Sequence, residues 1–249
     1  MFRLAPLLVS GFLCALPVDG ARADALPKSL GYSFYVQGEP AGRADIKITR
    51  TAKELVFESQ TRVLTGFTVM ALTSRTVADP KTYAVRDFTY HGTKGNHTVS
   101  CEAHMIADSV YGYTEMDGAL TDRHLKMSLP HNLLFEDWVV EHEIIIALTQ
   151  AHSSNKTDTY GMIFTSSFSP ADVTAGFSGD ILVEAGARSM TARKLLVMIR
   201  GAQPFESRVD PKTGVPVYIR FPDSQTEMFL DEIFGENPLT YYQAKEKKP

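Results

Sequence analysis

Residues 130–150 read PHNLLFEDWVVEHEIIIALTQ, and this stretch decides the fold because its apolar residues recur at helical spacing. At about 100° per residue, one face collects the side chains of Phe135, Trp138, Val139, His142, Ile145 and Ile146. Val140 and Ile144 fall on the far side, so the helix is expected to be covered there as well. A curved sheet needs apolar cover on its inner face, and this helix is the segment suited to supply it.

The start of the predicted helix carries the expected polar residues. Asn132 is the predicted N-cap, and Glu136 and Asp137 place negative charge near the positive end of the helix dipole. A strand over 138–146 is the alternative interpretation of the same run.

Outside this stretch the chain predicts short strands joined by tight turns. Residues 32–36 (YSFYV) are aromatic and β-branched, and the turn cluster GEPAG at 38–42 folds them back onto the next strand. Connections this short favour antiparallel neighbours. The predicted fold class is mainly β: a single curved antiparallel sheet, a half-barrel or open barrel, of about ten strands with one amphipathic helix packed on its concave side.

The N-terminus predicts export. Arg3 precedes an apolar run over residues 4–16, and Ala21-Arg22-Ala23 has the small-residue pattern of a signal-peptidase site. An overlapping site ending at Ala25 leaves the mature start at Asp24 or Leu26, and an uncleaved membrane anchor is the alternative. The predicted organisation is therefore a signal peptide (1–23), a single β-rich domain (24–235) and a loose C-terminal tail (236–249), in a periplasmic or secreted protein.

Composition and charge narrow the class of partner. The chain has 249 residues, 44% hydrophobic and 22% charged, which suits one globular core. The net charge is −4, and the basic residues cluster only at the terminal lysines, so no nucleic-acid partner is expected. Cys14 lies in the predicted leader and leaves Cys101 as a single thiol, which is expected to be a buried small hydrophobe.

Two short motifs carry a resemblance. The strand 32–36 with its turn at 38–42, together with the turn DPKTGVP at 210–216 between two strands, resembles a family of exported bacterial β-sheet domains of unknown function. Members of that family look like the curved half-barrels of periplasmic lipoprotein carriers. The matching motifs lie at the two ends of the mature chain, and the helical stretch departs from the pattern. The family brings no catalytic residues, so none are assigned.

The candidate reactive groups favour a structural interpretation. His142 lies between Glu141 and Glu143, but a zinc-protease helix needs a second His at position 146, which is Ile. His131 would lie about 16 Å away along a helix. His142 is therefore expected to be a hydrogen-bonded core residue. The four carboxylates are expected to be solvated, namely Glu136, Asp137, Glu141 and Glu143.

The sequence contains no nucleophile elbow, phosphate loop or dinucleotide fingerprint, so neither an enzyme, a metal nor a cofactor is expected. The favoured hypothesis is an envelope binding or carrier protein with a groove for an elongated, lipid-like apolar ligand. The residues expected to line this groove are Phe57, Phe67, Met70 and Trp138. The alternative is a non-catalytic structural or interaction protein of the envelope, with an envelope protein as partner, whose sheet is filled by its own side chains.

Overall fold

The structure, a computed structural model, describes residues 26–127, 132–136, 138–185 and 187–235. Within these ranges it has fifteen strands and two helices. The first half contains β1 (Ser29–Val36), β2 (Glu39–Arg50), β3 (Leu55–Thr65), β4 (Thr68–Ala78), β5 (Val85–Lys94), β6 (His97–Ile106), β7 (Ser109–Met116) and β8 (Ala119–Lys126). The second half contains β9 (Asn132–Phe135), α1 (Val140–His152), β10 (Thr157–Phe164), β11 (Ser169–Ala185), β12 (Arg188–Ile199), β13 (Phe205–Val209), β14 (Pro216–Phe221), β15 (Thr226–Leu230) and α2 (Asp231–Phe234).

All fifteen strands belong to one sheet in the order β8-β7-β6-β5-β4-β3-β2-β1-β15-β14-β13-β12-β11-β10-β9. Every neighbouring pair is antiparallel except β9 and β10, which are parallel. A parallel pair needs a long crossover, and α1 supplies it. The sheet edges are therefore β8 and the four-residue β9.

The sheet curves around α1. The helix contacts β11 and β14 in the second half of the sheet, while Glu141 accepts a hydrogen bond from Ser74 on β4 and His142 packs on Phe88 of β5. These strands are far apart in the sheet order, so one short helix reaches them all only if the sheet bends around it. The predicted single curved sheet is thus confirmed in outline.

The helix is buried on every side, which explains why it carries so little amphipathic contrast. Val140 and Ile144, predicted to face away from the main apolar stripe, are as fully buried as Ile145 and Ile146. The prediction of a second covered side is confirmed. None of the helices in the described ranges is long and apolar enough to cross a membrane.

Both segments that carried the family resemblance contain a hairpin turn, but the first turn is shorter than the predicted 38–42, because residues 39–42 belong to β2. Gln37 and Gly38 join β1 to β2 with φ of 55° and 81°, the left-handed pair that a two-residue hairpin requires. In the turn between β13 and β14, Asp210 accepts the backbone N–H of Lys212 on its side chain and that of Gly214 on its carbonyl.

The prediction of about ten strands is wrong, because the sheet has fifteen, and β8 and β9 are two of the strands that were not expected. Residues 132–135 form β9 rather than the first helical turn, so Asn132 lies in a strand and α1 begins at Val140. Residues 177–180 form a β-bulge inside the long strand β11, where Gly179 has φ of 144°. The edge strand β8 was missed because its residues are mainly polar and exposed.

The segments 1–25, 128–131 and 236–249 lie outside the described residues, as do Asp137 and Gly186. The predicted signal peptide, His131, Asp137 and the C-terminal tail fall there and stay predictions.

Candidate ligand-binding cleft

A cleft of about 280 Å³ opens beside the free edge of the sheet, between the inner face of β4–β8 and the segments that follow β9 and β10. Its lining combines apolar, hydroxyl and charged residues: Met70, Leu72, Tyr90, Lys94, Val99, Thr114, Glu115, Met116, Ala119, Thr121, Arg123, Glu136 and Ser166. The volume is near the lower end of the range for small-molecule sites.

The strand register divides this inner face into rows, because paired residues on neighbouring strands point to the same side. The first row consists of Leu72, Gly92, Val99, Met116 and Ala119. It is apolar along its whole length, and Gly92 leaves a gap in the side chains over β5. Met116 is 53% exposed, whereas Leu72 is buried, so the row runs from the core to solvent.

The next two rows become polar toward the free edge. One ends in Thr114 and Thr121, and the following one ends in Arg123 on β8. Arg123 lies directly beside this hydroxyl pair, and its Nε donates to Thr114 Oγ1 at 3.4 Å. Apart from Lys94, the inward-facing lining is therefore apolar at the end formed by the hairpin tips, and it is hydrogen-bonding at the other end.

The floor of the cleft is formed by Glu136, which is buried. Thr165 Oγ1 donates to Glu136 Oε2 at 2.5 Å, and the Cys101 thiol points at the Thr165 carbonyl at 3.6 Å. Burial, with the nearby Glu136 charge, raises the pKa of Cys101 to about 12, so the thiol stays protonated at neutral pH. The same two causes raise the pKa of Tyr90. Cys101 is thus the buried thiol that was predicted.

Behind the floor, Glu141 projects from the first turn of α1 into a cluster of hydroxyls on β3 and β4. Ser74 donates to Glu141 Oε1, Thr76 Oγ1 does so at 3.5 Å, and Ser59 and Ser74 are joined at 2.6 Å. Glu141 Oε2 is buried without a hydrogen-bond partner among the described residues. Burial raises the pKa of Glu141, and the hydrogen bond from Ser74 opposes that rise.

His142 is a buried, neutral core residue, as predicted. Its Nδ1 accepts the backbone N–H of Glu136 at 3.0 Å, which leaves the ring proton on Nε2. The ring lies 4.6 Å from that of Phe88, and burial lowers the pKa of His142 to about 3. No group of three or more His, Cys, Asp or Glu side chains in the described ranges is arranged to hold a metal ion.

A second, smaller cavity of about 110 Å³ lies at the start of α1. Phe135, Trp138, Glu143 and residues of β14 and β15 line it. Trp138 is half-buried in the turn before the helix, with φ of 71°, and packs edge-to-face on Phe34 at 5.8 Å. It is therefore not part of the helical stripe in which the sequence placed it.

The four residues predicted to line one groove lie in four different places. Met70 lines the cleft, and Trp138 lines the smaller cavity. Phe57 is fully buried on β3, and Phe67 is 107% exposed in the turn between β3 and β4. Only the role of Met70 is compatible with the cleft as it stands.

The prediction that the carboxylates are solvated is wrong for Glu136, Glu141 and Glu143, all of which are buried. Glu141 and Glu143 were assigned to solvent as polar residues of a helix, whereas α1 is enclosed on all sides; Glu136 precedes the helix and is buried against Thr165. One signal pointed to the correct answer. Ser59 and Ser74 are paired inward positions of β3 and β4, and such buried hydroxyls require a polar partner. No comparable feature of the sequence indicated that Arg123, on the edge strand, would line the cleft.

Comparison with known proteins adds little. No protein-family model matches the chain, and no curated protein matches it. A solved structure of a DUF1089 family protein from Pseudomonas aeruginosa is similar, with 9% identity and a TM-score of 0.42, over 73% of this chain and 90% of that one. A similarity of this size supports no assignment of function, and the resemblance to lipoprotein carriers stays a prediction.

Proposed function

We propose that the protein is an exported binding or carrier protein of the cell envelope that holds an elongated apolar ligand in the cleft. The observation that carries this proposal is the apolar row from Leu72 to Ala119, which continues from the core to solvent and is left uncovered by the residues that the structure describes. An alkyl chain lying along this row removes its apolar surface from water, which contributes about 25 cal/mol per Å².

A binding role suits the buried polar groups better than catalysis. Glu141 and His142 lie in the interior, where neither reaches solvent, and their hydrogen bonds go to the sheet and the backbone. A general acid or base must come within hydrogen-bond reach of a substrate. These two residues instead join α1 to the surrounding strands.

The competing proposal, a structural or interaction protein, is favoured by one observation. The concave interior is largely occupied by α1, whose Ile144, Ile145 and Ile146 are fully buried. The cavity beside the start of the helix holds only about 110 Å³. The two proposals differ in whether the edge cleft takes up a ligand.

The test is calorimetric titration with straight-chain alcohols of six to fourteen carbons. Each methylene that enters the cleft contributes about 0.8 kcal/mol, so the affinity is expected to rise about fourfold per carbon until the cleft is full. Ala119→Trp places a large side chain on the exposed end of the apolar row and is expected to abolish this rise. Ala202→Trp, at an exposed position away from the cleft, is the matched control.

No binding at any chain length, together with native mass spectrometry that finds nothing bound to protein from its own host, would favour the structural alternative. Equal binding by wild type and Ala119→Trp would place the ligand elsewhere.

A further inference from the structure

The polar end of the cleft contains a cation whose charge is not matched by a partner. Arg123 is half-buried, and among the described residues its only hydrogen bond goes to Thr114 Oγ1, with no ion pair. Several other cations on the sheet are paired with carboxylates, as in Arg43–Asp45, Arg86–Asp79, Lys126–Asp108, Lys194–Glu206 and Arg200–Asp172. One long hydrogen bond to a neutral hydroxyl offsets only part of the hydration that a half-buried guanidinium gives up, so a further acceptor stabilises it.

The hydrogen-bonding groups around Arg123 suit an oxyanion. The guanidinium presents a planar fork of donors, which matches a carboxylate or phosphate, and the hydroxyls of Thr114 and Thr121 lie in the adjacent row. Lys94, which also forms no ion pair among the described residues, adds a second positive charge at the far end of the cleft.

Two carboxylates, Glu115 and Glu136, also line the cleft, but they do not neutralise the positive charges of Arg123 and Lys94. Glu115 accepts a hydrogen bond from Ser100, its neighbour across the strand pair on the opposite face of the sheet. Glu136 is held by Thr165 at the floor. The inward-facing charges are therefore two positive against one negative.

We propose that the cleft is specific for an amphiphile with an anionic head group, a carboxylate or a phosphate ester, which Arg123 binds while the alkyl chain lies along Leu72, Val99 and Met116. This inference rests on the proposed function and specifies its ligand class. The strand register sets the direction of the ligand in the cleft, because the apolar row and the row that ends in Arg123 are separate rows on the same face of the sheet.

The test compares head groups on one chain by calorimetric titration of the full-length protein with decanoate, decyl phosphate and decanol. The two anions are expected to bind roughly 10- to 100-fold more tightly than decanol, the range for hydrogen bonds to charged groups. Arg123→Gln is expected to remove this advantage, so that the two anions bind the variant no more tightly than decanol does, whereas Arg123→Lys restores part of it. Arg75→Gln, on the outer face of β4, is the matched control and should bind like wild type.

The variant Glu136→Gln tests whether the cleft prefers a negatively charged head group. Because it removes the negative charge at the floor and keeps an acceptor for Thr165, it is expected to strengthen decanoate binding. Weaker binding of decanoate by this variant contradicts the inference.

Three other outcomes are decisive. Equal binding of decanoate and decanol, unaffected by Arg123→Gln, overturns the head-group inference but leaves the proposed function standing. Failure of all three probes to bind overturns both. If inorganic phosphate or acetate competes for the cleft as well as decanoate does, the cleft is a site for free anions, and the inference of an amphiphilic ligand is overturned. Each variant is also checked by thermal unfolding, and Arg123 lies on an exposed edge strand where substitutions are well tolerated.

Discussion

Replacing Glu141 with Gln is expected to raise the free energy of unfolding at alkaline pH and to change it little near pH 4.5. Glu141 is fully buried, its Oε1 accepts from Ser74 and Thr76, and its Oε2 has no hydrogen-bond partner among the described residues. Burial disfavours the ionised carboxylate more than the Ser74 hydrogen bond favours it, so the pKa lies above its ordinary value of 4.5.

The direction of the pH effect follows from linkage. Above pH 4.5 an unfolded chain releases the Glu141 proton, whereas the folded chain retains it until the pH reaches the raised pKa. This contribution to stability is therefore fully present below pH 4.5 and is lost as the pH rises through the folded pKa. A Gln side chain is neutral throughout, keeps an oxygen to accept from Ser74, and avoids the loss.

The expected size is the cost of a buried acceptor left without a partner, about 1–3 kcal/mol at pH 8. For a chain of this length, that corresponds to a rise in Tm of roughly 2–12 °C. Urea unfolding at pH 4.5, 6 and 8 measures the difference directly. Glu54→Gln, an exposed substitution before β3, is the control and should show no comparable pH-dependent gain.

A stability difference between Glu141→Gln and wild type that stays constant from pH 4.5 to 8 would refute the raised pKa. Destabilisation of the variant at pH 8 by more than about 1 kcal/mol would refute the idea that the charge is uncompensated, since it would mean that the ionised carboxylate is needed.

Three further outcomes are expected. Because the Phe67 ring is fully exposed, Phe67→Ser should change the free energy of unfolding by no more than about 0.5 kcal/mol and should leave decanol binding unchanged. A loss of decanol binding in titration would show that Phe67 belongs to the binding site after all. Cys101 should react with a thiol reagent only when the protein unfolds, because burial raises its pKa to about 12, and rapid labelling of native protein would contradict this. Hydrogen bonds to Asp87 and then Glu102 raise the pKa of His104, so wild type should be stabilised over His104→Gln below pH 6.5. That advantage should fade as the pH rises through the folded pKa, and it should stay below about 1 kcal/mol because these groups are exposed; a growing advantage in urea unfolding at high pH would refute the assignment.

The parts of the fold that could be predicted from sequence are those fixed by local geometry. The hairpin at Gln37 and Gly38 and the turn at 210–216 depend on residues that adopt left-handed or tightly hydrogen-bonded backbone. The second covered side of α1 followed from Val140 and Ile144 alone. Each of these features is encoded within a few residues.

The parts that could not be predicted depend on tertiary placement. Residues 132–135 form a strand because β10 offers them a pairing edge, from Asn132 opposite Gly161 to Phe135 opposite Phe164, and this competes with the local helical pattern. Glu141 and Glu143 are buried because the sheet closes over both sides of α1. The polar end of the cleft is set by the register of β7 and β8, in which Thr114 faces Thr121 and Gly112 faces Arg123, and short polar strands give little sign of such a register.

The position of the cleft has a physical cause in how the two sheet edges differ. The β9 edge is short and is followed at once by α1, which fills the interior, whereas β6–β8 form an extended three-stranded wing that ends in a strand with no buried residue. The polar sequence of β8 protects that free edge from pairing with other chains. On the inner face of the wing, Val99 and Met116 stay at least partly exposed although they continue the buried row that begins at Leu72. Among the described residues this apolar surface stays uncovered beside Arg123, which forms no ion pair with them, and an amphiphile of the proposed class would cover it.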